Sequence, residues 1–189
     1  MLSNPFFIAS HLVTPAYASF RSALHFYGFT EQVPLTTFVA TTKKKRPVTF
    51  RDFRFRFVTL KPQKFFGYRR EMMDDLPVLI ADEAKAIVDS LHQPRHAGGI
   101  AEVAKSLRAA LEVVDVSTLV EYANRMGDKS LGSRLGYLLE ALGHPVEGLI
   151  RSAGPVKLDP GRPRTGPYEG RWRVWVNVPS AELWPEGVG

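Results

Sequence analysis

At 189 residues, with 44% hydrophobic and 23% charged side chains, the chain can bury a core of its own, and global disorder is excluded. It has no cysteine, which rules out disulfides, thiolate zinc sites and cysteine nucleophiles together. The net charge of +6 is uneven: the 28 residues from Lys43 to Arg70 hold eleven Lys/Arg against one acid, Asp52, a local +10, and the remaining 14 bases and 18 acids sum to −4.

A charge concentrated in this way suits an anionic partner such as a phosphate backbone or an acidic protein face. It equally suits a solvated basic hairpin that keeps a sheet edge from pairing with other chains. No apolar run is long enough to span a bilayer, and Met1 to Phe7 lacks the basic start and long apolar stretch of a secretory signal. A soluble, cytoplasmic protein is expected.

In chain order, Thr14-Pro15 predicts a helix opening, with Thr as N-cap and Pro at the first helical position, running through Tyr27 to stop at Gly28. Leu35 to Thr41 is rich in β-branched residues and predicts a strand. Lys43-Lys-Lys-Arg-Pro47 reads as a basic turn. In Phe53-Arg-Phe-Arg-Phe57 the phenylalanines share one face while Arg54 and Arg56 share the other, which predicts a sheet with an aromatic inner and a cationic outer face. Lys64 to Arg69 predicts a further strand, with Gly67 as a bulge or close approach.

Ile80 to Leu91 is the stretch around which the chain is organised. Asp82 is placed to cap a helix, and Ala84, Ile87, Val88 and Leu91 form one apolar stripe at helical spacing. Upstream of it the chain reads as strands, downstream as helices. Gln93 to Gly99 is a loop. Helices are predicted over 100–111, over Val116 to Met126 with Gly127 as terminator, and over Lys129 to Leu142 with Gly143 and Pro145 beyond. Ala153 to Gly170 reads as an extended loop, Arg171 to Val178 as a last strand joining the main sheet, and residues 179–189 as a flexible tail. The expected fold class is α+β: a mostly antiparallel sheet with a helical set packed on one face, in a single domain over residues 1–178.

Glu83-Ala-Lys85 has the carboxylate-x-lysine spacing of metal-dependent nucleases. That chemistry needs a strand, where residues two apart share a face; on a helix they diverge. His92 and His96 are four apart but straddle Pro94, which breaks the helix that would align them on a metal. No P-loop, dinucleotide motif or nucleophile elbow is present. Gly98-Gly99 leads into a helix N-terminus and offers at most a weak anion site. The residues point to no catalytic site, no metal and no cofactor.

Ser19-Phe-Arg-Ser-Ala-Leu-His-Phe-Tyr-Gly28 resembles the early helix of AbiEi-type abortive-infection antitoxins, also described as transcriptional regulators of viral defence systems. Further blocks follow in the same order: Phe66-Gly67, Ile80 to Leu91, Gly98-Gly99, Glu121-Tyr-Ala123, Arg134-Leu-Gly-Tyr-Leu-Leu-Glu140, Leu158-Asp-Pro160 and Trp172 to Asn177. The resemblance implies the antitoxin domain of a type IV toxin–antitoxin system, acting without enzymatic activity against a cognate nucleotidyltransferase-type toxin. It also implies an N-terminal winged helix-turn-helix, yet no such motif is expected before Thr14. The family's central helix carries D-P-E-K-A; here Ala84 stands in place of the glutamate, so Asp82 and Lys85 carry over and the glutamate's role does not. DNA is expected as a further partner, through phosphate contacts from Lys43, Lys44, Lys45, Arg46, Arg54 and Arg56. The alternatives are a fragment of a DNA-binding transcriptional regulator, or a protein-interaction domain with no nucleic-acid role.

Overall fold

The computed structural model describes residues 4–188; Met1 to Ser3 and Gly189, the outermost parts of the expected domain and tail, lie outside the described residues. The fold is α+β, with a six-stranded mixed sheet, a small three-stranded sheet and seven α-helices among the described residues. No described helix is long and apolar enough to cross a membrane.

The main sheet is built from β1 (Ala16–Ala18), β2 (Thr36–Thr41), β3 (Val48–Phe50), β4 (Phe53–Thr59), β5 (Tyr68–Met73) and β6 (Leu76–Ala81), in the order β3-β4-β2-β1-β6-β5. The β1–β2, β3–β4 and β5–β6 pairs are antiparallel, whereas β2–β4 and β1–β6 are parallel. The expected antiparallel character therefore holds for three pairs and gives way in the centre. There, β2 reaches its parallel neighbour β4 by crossing over through residues 42–47 and the edge strand β3.

Helix α1 (Pro5–Leu12) covers one face. Asn4 caps it, its side chain accepting from the N–H groups of Phe6 and Phe7, and Pro5 takes the first position. Its Ile8 and Ala9 pack with Ala16, Val39, Phe55 and Phe57. The other face carries α2 (Phe20–Phe26), α3 (Glu83–His92), α4 (Ile100–Ala110), α5 (Val116–Met126) and α6 (Lys129–Ala141), and most of the core. The expected caps hold on α3, where Asp82 accepts from Lys85 N–H at 2.8 Å, and at the end of α5, where Gly127 takes φ 67°.

Several expectations are corrected. Thr14-Pro15 opens no helix: β1 follows it, Tyr17 lies opposite Ala40 of β2, and α2 begins only at Phe20. Residues 62–64 form a 3₁₀ turn, and the strand predicted over Lys64 to Arg69 starts at Tyr68 and runs to Met73. It turns at Asp74-Asp75, both at positive φ, into the unforeseen β6. The late strand does not join the main sheet: only Val174–Trp175 (β9) is extended, between β7 (Val156–Lys157) and β8 (Tyr168–Glu169), inside the stretch expected to be loop. Nor is the whole C-terminal segment loose. Ser180–Leu183 forms α7, and Leu183 and Trp184 are buried in the core.

Candidate functional site

Eight of the ten residues of α3 are buried, so this helix is enclosed on nearly every side. Two of them are charged. Lys85 and Asp89, one turn apart, are fully buried, with Nζ 2.9 Å from Oδ1. Lys85 also donates to the Tyr17 hydroxyl at 2.9 Å and to the Lys64 carbonyl at 2.6 Å. Asp89 accepts from Tyr17 Oη at 2.9 Å and Ser19 Oγ at 2.7 Å. Burial lowers the Lys85 ammonium from its ordinary value, with Asp89 acting in the opposite direction. Burial, reinforced by Asp89, raises the Tyr17 hydroxyl well above its own.

Around this centre α3 collects the rest of the chain. Gly67 accepts from Asp82 N–H at 2.8 Å, and a Cβ at Gly67 would come within 3.0 Å of both Lys85 and Tyr122. Tyr122 of α5 donates to Asp82 at 2.6 Å; burial and that bond push its hydroxyl up to about 12. At the far end, His92 Nδ1 lies 2.7 Å from Asp128 Oδ2. Glu83, by contrast, turns outward to the Arg69 guanidinium, which donates to its two oxygens at 2.8 and 3.0 Å. Glu83 and Lys85 thus point away from each other and do not converge on one ion. Among the described residues no group of three or more His, Asp or Glu is placed to hold a metal.

The cationic candidates divide into two sets. Lys43, Lys44, Lys45 and Arg46 lie on the crossover beyond the C-terminal end of β2, where Thr59 Oγ1 donates to the Lys43 carbonyl. Lys43, Lys44 and Arg46 are exposed, whereas Lys45 is half-buried with its ammonium 5.7 Å from the centre of the Phe57 ring, on the α1 side of the sheet. Arg54 and Arg56 are exposed on the opposite face, in register with Thr36 and Phe38. Arg54 is also separated from the crossover by about 17 Å of strand. The aromatic face is therefore the one under α1. The arginines share the face of the helical set, at an edge those helices leave open. None of these six cations is in an ion pair among the described residues.

Sequence reasoning missed Tyr17, Ser19 and Asp89 as partners of Lys85. The available signal was the opposite charges at 85 and 89, one turn apart on a helix otherwise mostly apolar. Comparison with protein-family models and with curated proteins gives no match.

Proposed function

We propose that the chain is a non-enzymatic antitoxin and regulatory domain of the AbiEi type, working in the cytoplasm against a nucleotidyltransferase-type toxin. The observation that carries the reading is that the blocks of the resemblance, far apart in sequence, are each other's structural partners. Ser19 donates to Asp89, Gly67 accepts from Asp82, and Tyr122 donates to Asp82. Trp172 Nε1 donates to Glu140 at 2.7 Å, and Asn177 Oδ1 accepts from Asp159 N–H at 2.8 Å. Gly136, inside the Arg134 to Glu140 block, leaves the space that the Trp172 ring fills. These contacts support the reading in that the blocks form one continuous framework around α3 and α6.

Recognition belongs to the surface, because the charged centre of α3 is closed to any partner. The unpaired cations of the crossover, Lys43, Lys44 and Arg46, supply it, with Arg54 and Arg56 as a second contact on the other face. Their targets are the phosphates of DNA or an acidic face of the toxin.

Co-purification of the chain with the product of the adjacent gene tests direct binding. The same preparation, titrated with duplex DNA at several salt concentrations, tests the nucleic-acid contact. Binding of the toxin that survives K43A/K44A/R46A, with DNA binding lost, assigns the crossover to DNA. The reverse assigns it to the toxin and favours the pure protein-interaction reading.

A further inference from the structure

The outer face of the small sheet is not used by that reading. In β9, Trp175 lies in register with Lys157 of β7 and Tyr168 of β8. Paired residues of neighbouring strands share a face, so these three side chains form one row across the sheet. The alternate row is Val156, Val174 and Glu169, and it faces inward. Val174 is fully buried and Val156 packs against the core. The Glu169 carboxylate accepts from the N–H groups of Arg171 and Trp172 at 2.9 and 2.7 Å. The sheet is thus anchored through Val156 and Val174, whereas Tyr168 and Trp175 are not among the residues packed against the core.

The outward row presents two rings edged with positive charge. The Tyr168 and Trp175 ring centres are 5.1 Å apart, and Tyr168 is 44% exposed. Arg164 is exposed, and its guanidinium lies 5.5 Å from the centre of the Trp175 ring. Neither Arg164 nor Lys157 is in an ion pair among the described residues. Residues 151–173 hold six Lys/Arg against two acids, Asp159 and Glu169. Both acids are engaged elsewhere, Asp159 by the Gly161 N–H and Arg162, and Glu169 on the inward face. The field is therefore positive where the rings are exposed. Trp175 adds an unmet donor, because its Nε1 is shielded from solvent and has no hydrogen-bond partner among the described residues. An indole N–H left in this state is uncommon in a folded chain.

We propose that this face is a stacking platform for single-stranded nucleic acid. An unpaired base stacks at Tyr168 and Trp175, while Arg164 and Lys157 take the flanking phosphates. The pairing of rings with free cations selects this ligand. A duplex keeps its bases stacked inside, and an acidic peptide brings charge without a base.

The test is titration of the full chain with a short, end-labelled single strand of mixed sequence, read by anisotropy and by tryptophan fluorescence. Trp172 and Trp184 are buried, at 4% and 6% exposure, so quenching on binding reports on Trp175. The proposal expects saturable binding with quenching. Tyr168→Ala should weaken it about tenfold, the loss of one stacked base. Arg164→Ala, an exposed loop position, is an independent variant that should also weaken binding. Lys157→Gln should lower the slope of log affinity against log salt by about 0.7, the value for one phosphate of a single strand. K43A/K44A/R46A should leave affinity and quenching unchanged, which separates this face from the crossover. Absence of binding, affinity indifferent to Tyr168→Ala and Arg164→Ala, or loss of binding in K43A/K44A/R46A would overturn the proposal. So would displacement by duplex or by polyglutamate as effective as that by the unlabelled strand.

Discussion

Lys85 and Asp89 face each other at 2.9 Å with neither side chain open to solvent, and Tyr17 bridges them by donating to one and accepting from the other. Loss of one partner leaves the other charged and unpaired in a dry core, at a cost of about 3–5 kcal/mol. Lys85→Met and Asp89→Leu singly should therefore lower the midpoint of urea unfolding sharply. The double variant should recover much of the loss. If the double variant is as unstable as the sum of the singles, the pair is not the coupled unit described here.

Gly136 and Trp172 give a steric prediction. A Cβ at Gly136 would stand 2.3 Å from the Trp172 ring, whereas one at the exposed Gly154 would meet nothing within 4 Å. Gly136→Ala should cost about 1–3 kcal/mol by overpacking, and Gly154→Ala should be neutral. Urea unfolding of the two variants side by side reads the difference.

Two groups make stability fall with acid, in separate windows. Burial, with Arg95 and Arg56 nearby, lowers His96 from 6.5 to about 4. The unfolded chain therefore takes up a proton that the folded one refuses, and stability declines as pH falls from 6.5 towards 4. Burial alone would raise Asp128, but the hydrogen bond and charge of His92 outweigh it and bring the carboxyl from 3.8 to about 2. That contribution is present above pH 3.8 and is lost as pH falls towards 2. Unfolding free energy measured from pH 7 to 2 should show both declines. Asp128→Asn, which keeps the cap on α6, should flatten only the lower one.

The crossover cations give a salt prediction. If Lys43, Lys44 and Arg46 each neutralise one phosphate, K43A/K44A/R46A should reduce the slope of log affinity against log salt by about 2.7, at roughly 0.9 per contact. Arg54→Ala should change it less, because Arg54 lies on the other face. Fluorescence anisotropy with a labelled duplex measures both.

The helices from α3 to α6 were legible because each carries its own evidence. Asp82 supplies a cap, Gly127 and Gly143 supply stops, and between them the apolar residues return every third or fourth position. Helix α1 carries the same kind of signal in Asn4-Pro5, a cap followed by proline, and so does Thr14-Pro15, which opens no helix. There, local chemistry favoured a helix and the tertiary structure overrode it, since Tyr17 is needed in the sheet to reach Lys85 and Asp89.

The sheet order could not be read locally. That β2 and β4 are parallel, and that Lys45 sits on the Phe57 side of the sheet while Arg54 and Arg56 lie on the other, depends on contacts distant in sequence. The centre around Lys85 was half legible: the charge pair is written in the helix, but Tyr17 and Ser19 come from 68 and 70 residues away.

The most direct measurement is growth of cells expressing the adjacent gene's product with and without this chain. The account predicts that residues 1–189 restore growth, and that K85M, which disturbs the framework joining the family-like blocks, restores it poorly. A folded, well-expressed chain that leaves growth arrested would contradict the antitoxin reading.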